Sequence, residues 1–415
     1  VLDDMQRPAA MARLVQGDVG SGKTVVALLC AYAAACAGRQ AAFMAPTELL
    51  ARQHYRTAQA FFEGTGLKVA FLSGGMAEGE KEAAAERIAG GEADVIVGTH
   101  ALIQEGVSFR SLGLAITDEQ HRFGVMQRAA LEEKGETCDV LVMSATPIPR
   151  TLALILYADM DVSVIDELPP GRKRTKTRLV PPGRRDDMYA FIGKQAENGG
   201  QAYVICPLVE ESEEIEAQSV ARVYEELKRG PLKGVEVGLL HGRLRPAEKE
   251  AAMEAFGCGH TKVLVSTTVV EVGVDVPGAT VMAVENAERF GLAQLHQMRG
   301  RVGRGEKPSY CFLLPGTEAP EALERLNVLV ECDDGFEVAR RDLALRGPGE
   351  FLGTRQHGTL PWPNESLCDM RMLRGARDAA QAILALDPDD PLYRRMTGLC
   401  RSRYEAFLER DISHT

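Results

Sequence analysis

No apolar run in this chain is long enough to cross a bilayer. The longest, Val25 to Ala37, falls short of the roughly 20 residues that a spanning helix needs, so a membrane protein is not expected. A secretory signal is lacking too, and the first residue is Val1 rather than Met, so the chain reads as a fragment of a longer protein or a processed one. Cysteine pairs are missing. Nine cysteines (Cys30, Cys36, Cys138, Cys206, Cys258, Cys311, Cys332, Cys368, Cys400) are scattered without a single C-x-x-C. That pattern suggests neither a zinc site nor a disulfide framework and fits a reducing, cytoplasmic setting. Excess positive charge is absent as well: a net charge of −11 argues against a whole-surface nucleic-acid binder, while leaving room for local basic strips that touch phosphates.

What remains is ordinary soluble-protein composition, 45% hydrophobic and 26% charged over 415 residues, enough for two or three domains. Apolar runs rich in Val, Ile and Ala alternate with helical stretches. The first set is 13–17, 40–46, 69–74, 93–100, 112–119 and 138–146; the second is 176–180, 201–208, 235–242, 261–268, 279–286 and 308–315. Continuous rather than alternating apolar runs suit strands buried on both faces of a parallel sheet, and helical spacers make βαβ units of a doubly wound α/β fold. Paired prolines, a glycine and five basic residues interrupt the pattern at "DELPPGRKRTKTR" (166–178), read as a linker. Three segments are expected: an α/β domain over 1–165, a second over 166–316, and a mainly helical region over 317–415.

"RLVQGDVGSGKTVVALLCAYAAACAGRQ" (13–40) holds four glycines, three of them with a lysine and a threonine between a strand and an alanine-rich helix and the fourth, Gly38, after that helix. Glycine costs backbone entropy in a packed core, so the stretch must do something else. Gly17-x-x-x-x-Gly22-Lys23-Thr24 has the spacing of a phosphate-binding loop. The backbone N–H groups of Gly17, Asp18, Val19, Gly20, Ser21 and Gly22 would form an anion nest at a helix N-terminus. Lys23 would reach the β- and γ-phosphates of ATP, and the Thr24 hydroxyl would hold Mg²⁺. Hydrolysis also needs a metal-binding acid and a water activator. "LAITDEQHRFG" delivers Asp118 and Glu119 from the end of an apolar strand for those two tasks; a pair of solvated turn carboxylates is the plainer alternative.

In the second half, "QLHQMRGRVGRG" (294–305) carries Gln297, Arg301 and Arg304 at offsets of four and three, so a helix there would present them on one face. Arginine is a permanent cation able to stabilise charge on a phosphoryl group; a solvated basic helix is the alternative. Gly273 and Asp275 lie in a turn after another buried strand, within "STTVVEVGVDVP" (266–277).

GDVGSGKT, APTELLA (45–51), GTHAL (98–102), DEQHRFG, MSATPIPRT (143–151), STTVVEVGVDVP and QLHQMRGRVGRG resemble, in order and spacing, the motor motifs of superfamily-two helicases, and within them the bacterial branched-DNA translocases. "GFEVARRDLALRGPGEFLGTRQHG" (335–358) resembles the helical hairpin and loop that those translocases share with transcription-repair coupling factors, the alternative identity. The resemblance implies two RecA-like domains with ATP and Mg²⁺ at their interface and branched double-stranded DNA across them. It also implies a monomer, with single-stranded DNA-binding protein as a further partner and no membrane. On matched positions it makes Lys23, Asp118, Glu119, Arg301 and Arg304 catalytic, with Gln297, Gly273 and Asp275 beside the nucleotide. Thr47, Thr99 and His100 would contact the DNA backbone, Ser144 and Thr146 would couple hydrolysis to movement, and Arg346 and Gln356 would convert closure into translocation. Ser144 and Thr146 could equally cap a helix beginning at Pro147. The family's N-terminal wedge domain and adenine-reading glutamine segment do not precede Arg13 here, so junction selection is not expected of this stretch alone. A scaffold with a decayed motor and a small-molecule kinase are the competing classes. Intact Lys23, Asp118 and Glu119 oppose the first, and a second α/β domain with paired arginines opposes the second.

Overall fold

The computed structural model describes residues 1–104, 106–118, 134, 138–145, 160–167, 174–207, 213–267, 276–305, 307–346 and 370–412. A single turn, α1 (Leu2–Met5), precedes a seven-stranded sheet built from β1 (Ala12–Gly17), β2 (Gln40–Met44), β3 (Val69–Leu72), β4 (Val95–Gly98), β5 (Leu112–Thr117), β6 (Asp139–Ser144) and β7 (Asp161–Ile165). Their order is β3-β4-β2-β5-β6-β1-β7, with every pairing parallel. Six further strands, β8 (Lys176–Leu179), β9 (Gln201–Ile205), β10 (Val237–Leu240), β11 (Val263–Ser266), β12 (Ala279–Glu285) and β13 (Tyr310–Leu314), form a second parallel sheet in the order β10-β11-β9-β12-β13-β8. These are two RecA-like doubly wound domains, as the alternation of strand and helix implies.

Each of the twelve apolar runs forms a strand. The thirteenth, β7, was not anticipated. It is a partly exposed edge strand that pairs with β1, and its five residues run straight into the proline-rich connection, so periodicity gave it no separate signature.

Around the first sheet lie α2 (Lys23–Cys36), α3 (Glu48–Phe61) and α4 (Glu78–Ala89). The alanine-rich face of α2 buries Ala27, Leu28, Ala31 and Ala34 against Val15, Phe43, Leu114 and Ile116. Burying a side chain such as Leu28 contributes roughly 1.5–3 kcal/mol. Small residues let the helix lie close to the strand ends that carry the loop. The helix stops where Gly38 takes φ 74°: Arg39 N–H donates to Ala34 O at 3.0 Å and Gly38 N–H to Ala35 O at 2.9 Å, a left-handed termination that glycine permits.

The second sheet is flanked by α5 (Arg185–Glu197), α6 (Glu213–Arg229), α7 (Pro246–Gly257), α8 (Leu292–Arg299) and α9 (Pro320–Glu331). One face packs Met188, Tyr189, Ile192, Val220 and Leu227; the other packs Met253, Phe256, Leu295, Met298, Leu326 and Leu329. Leu326 and Leu329 are thus core residues. Next come α10 (Gly335–Arg346), α11 (Met370–Leu384) and α12 (Pro391–Ile412). From residue 317 onward every described regular element is a helix. One compact unit contains both sheets and extends to Val338; another begins at Ala339 and contains α11 and α12, which pack against each other.

Gly98, the last residue of β4, shows how tightly the first sheet is built. A Cβ there would lie 2.1 Å from the Leu72 carbonyl oxygen, a backbone atom that cannot swing aside. Gly98→Ala should therefore destabilise the chain by about 2–3 kcal/mol through overpacking. An unchanged thermal unfolding midpoint would show that β3 yields to the methyl group.

Candidate functional site

The phosphate loop leaves β1 and enters α2 without a side-chain cap. Gly20 and Gly22 adopt φ 75° and 96°, with Gly22 serving as the left-handed N-cap of α2. Left-handed backbone costs an L-residue roughly 1–2 kcal/mol, which is the physical reason for glycine at these two positions. Gly17 is held by crowding instead, since a Cβ would stand 2.5 Å from Ser21 Oγ. Lys23 is buried, and its Nζ donates to Gly17 O and Asp18 O at 2.8 Å each. The ammonium is therefore held inside the loop's own curl. Thr24 follows in the first turn of α2. Ser21 Oγ is buried and makes no hydrogen bond among the described residues, an unspent polar atom of the kind ligand sites retain.

Asp118 follows β5 and is buried, its backbone N–H donating to Met44 O at 3.0 Å. Its Oδ2 lies 2.7 Å from His54 Nε2. His54 comes from α3, itself buried, with its ring centroid 4.5 Å from that of Phe43. With a carboxylate as partner, Nε2 is the donor, so the imidazole fixes the orientation of the Asp118 carboxylate. His54 was missed at the sequence level. It sits 64 residues from Asp118, and a lone histidine on a helix gives no signal. Glu119, Thr146, Gly273, Asp275 and Gln356 lie outside the described residues. Of Arg346 only its place at the end of α10 is described. Ser144 ends β6, buried.

The second lobe reaches the loop through α8. His296 Nε2 lies 2.8 Å from Asp18 Oδ1, and a Cβ on Gly300 would stand 2.7 Å from Val19 Cβ. Gln297, one helix position after His296, is 6% exposed, and its Nε2 has no hydrogen-bond partner among the described residues. A common helical face for Gln297, Arg301 and Arg304 is corrected by the structure: α8 ends at Arg299 with Gly300 as its C-cap. Arg301 and Arg304 lie beyond the helix in a turn around Gly303, whose φ is 78°. Two glycines break the helix where the chain must pass close to Val19. A second interlobe contact runs from Arg52 of α3 to Glu250 of α7 at 3.9 Å.

The DNA-side candidates are partly committed to structure. Thr47 caps α3, its hydroxyl accepting from Leu50 N–H at 3.4 Å. Thr99 is buried, with Oγ1 unpartnered among the described residues; His100 beside it is exposed. Thiol chemistry is disfavoured where it was conceivable, because burial pushes Cys206 and Cys311 up to about 12.

The chain matches the DEAD/DEAH box helicase family over residues 5–155 and the helicase conserved C-terminal domain over 184–306. With the two parallel sheets and the glycine-lined loop, these matches place it among the two-lobed helicase motors. Within that class it is similar to the motor and C-terminal portion of RecG. It is 51% identical to the ATP-dependent DNA helicase RecG of Thermotoga maritima, over 92% of this chain and 49% of that protein. Against RecG of Bacillus subtilis the figures are 49%, 92% and 56%, and against that of Escherichia coli K12 they are 53%, 86% and 52%. A solved structure of RecG bound to a three-way DNA junction superposes with a TM-score of 0.74 at 48% identity, covering 89% of this chain and 48% of that one. The chain spans about half the length of the curated relatives it matches. Yeast Dbp5 bound to RNA and ADP BeF3, at 18% identity and a TM-score of 0.61, shares the fold. These matches do not favour the coupling-factor alternative.

Proposed function

We propose that this chain is the motor of an ATP-dependent double-stranded DNA translocase that remodels branched DNA such as stalled forks and Holliday junctions. The observation that carries the reading is the meeting of the phosphate loop with α8, at Asp18–His296 and Val19–Gly300. It sets the Lys23 loop of one lobe beside the arginine-bearing turn of the other. Loop amides and Lys23 bind the phosphate tail, and Arg301 and Arg304 neutralise charge that grows on the leaving phosphoryl oxygens. Gln297 offers its unspent amide N–H to the same ligand. Glu119 orients the attacking water, and Thr47, Thr99, His100, Ser144, Thr146, Arg346 and Gln356 carry the response toward duplex DNA.

Thr24 and Asp118 would hold Mg²⁺, which would supply positive charge to offset that of the phosphates. The donor set fits: a hydroxyl in the first turn of α2 and a buried carboxylate directly after β5 are oxygen ligands of the kind Mg²⁺ takes. An ion with few protein ligands, completed by phosphate and water, is the kind Mg²⁺ forms. His54 supports that role by orienting Asp118. His54→Ala should raise the Mg²⁺ concentration for half-maximal hydrolysis about tenfold, the lower range for loss of a ligand-orienting partner. A magnesium titration at fixed nucleotide checks this, and an unchanged midpoint would remove His54 from the site.

The reading is tested by measuring ATP hydrolysis with fork, linear duplex and single-stranded DNA. Stimulation greatest with the fork supports it; a rate indifferent to all three DNAs rejects it.

A further inference from the structure

Arg299 was not among the residues singled out in the sequence, yet its guanidinium is almost fully buried, at 5% exposure. Nη1 donates to Leu329 O at 2.7 Å and to Cys332 O at 2.8 Å, and Nη2 to Asp333 O at 3.0 Å. These are carbonyls at and just beyond the C-terminal end of α9, where intrahelical donors run out. The remaining reach of Nη2 goes to His296 Nδ1, at 2.9 Å. An arginine has no acceptor to offer, so His296 must accept at Nδ1. That fixes its tautomer, with the proton on Nε2, which faces Asp18 Oδ1 at 2.8 Å. The same Oδ1 accepts the Val19 N–H at 2.6 Å. Directly after this junction Asp334 Oδ1 accepts from Phe336 and Glu337 N–H, at 2.7 and 3.1 Å, opening α10.

We propose that His296 and Arg299 are positioning residues for the phosphate loop, forming a directional hydrogen-bond relay from the α9–α10 junction through the imidazole to Asp18 and the Val19 amide. The inference rests on the ATP-binding reading above and deepens it. Every member has a defined donor or acceptor role, so the relay has one polarity and cannot slip. A shift of the loop on phosphate binding pulls the Asp18 carboxylate, the imidazole follows, and Arg299 passes the displacement to the three carbonyls. The junction so held opens α10, the helix that ends in Arg346.

The test is amide hydrogen exchange on the 415-residue chain, with and without a non-hydrolysable ATP analogue and Mg²⁺. In the unaltered chain, saturating analogue should slow exchange both in the phosphate loop and at residues 328–338, by about fivefold or more at the latter. His296→Ala should still bind the analogue, with affinity reduced less than tenfold, and should slow exchange in the loop only. His296→Gln, which keeps a terminal N–H donor beside an acceptor oxygen, should restore the distant response. Arg299→Met should lose it; as that change strands three buried carbonyls, His296→Ala is the deciding variant. A residue with a merely structural role would lower the unfolding midpoint without separating the two regions. Persistence of the 328–338 response in His296→Ala, or its absence in the unaltered chain when that chain binds the analogue, overturns the relay. No analogue binding by the unaltered chain would instead reject the ATP reading. The relay is then judged without nucleotide, by whether His296→Ala speeds Val19 amide exchange at least threefold; an unchanged rate overturns it.

Discussion

Replacing Lys23 with alanine should lower ATP hydrolysis by about a thousandfold or more while leaving a folded chain. The side chain is 8% exposed, and its Nζ donates to carbonyls of its own loop, Gly17 and Asp18. On the proposed reading, deleting the ammonium removes a cation that meets the charge developing on phosphate, and such a preorganised charge is worth roughly 3–4 kcal/mol of barrier or more. The structural cost is smaller. Two carbonyls lose a charged donor at a loop that water can reach, about 1–3 kcal/mol, which shifts the unfolding midpoint by only several degrees in a chain of this size. The two effects separate cleanly in a hydrolysis assay run beside thermal unfolding. Lys23→Arg should fail to restore activity, because a planar guanidinium cannot occupy the space between two carbonyls that an ammonium fills. Hydrolysis above a tenth of the unaltered rate would show that Lys23 serves the loop's shape and not its chemistry.

The second large effect is expected at the turn after α8. Arg301→Ala or Arg304→Ala should reduce hydrolysis by roughly a hundredfold to a thousandfold, at or below the range of arginines supplied to a phosphoryl-transfer site. Nucleotide affinity should fall less than tenfold, because charge on the transferring group is greatest in the transition state and loop contacts hold the ground state. The structural ground for the expectation is position. Gly300 lies against Val19 closely enough to exclude a Cβ, so the chain leaves the phosphate loop and immediately presents Arg301 and then Arg304, both half-buried. Single-turnover hydrolysis measured beside equilibrium binding distinguishes the two contributions. A variant that loses binding and hydrolysis in equal proportion would assign these arginines to uniform substrate binding. Lysine substitutions should not rescue, since a point charge on a flexible stem lacks the fixed fork.

Local chemistry made much of this legible. Gly22 must be glycine because a left-handed N-cap is needed there, and Gly38 because the helix ends in a left-handed turn. These demands act over a few residues and so leave a mark in the sequence. Buried strands such as β2 and β4, entirely enclosed, appear as unbroken apolar runs for the same reason. The edge strand β7 did not, since half-exposed residues carry little pattern. The helical face expected to join Gln297, Arg301 and Arg304 failed at Gly300, where packing against the other lobe outweighed helical periodicity.

The succession of buried strands along the chain and the spacing of the phosphate loop were therefore legible in residue type and spacing alone. Only the folded chain decided what holds them: His54 on Asp118 across 64 residues, and His296 on Asp18 across 278. Periodicity and turn chemistry are short-range and write themselves into neighbouring positions. A hydrogen bond between distant side chains depends on where two sheets bring their ends, and a histidine carries no mark of its partner until they do.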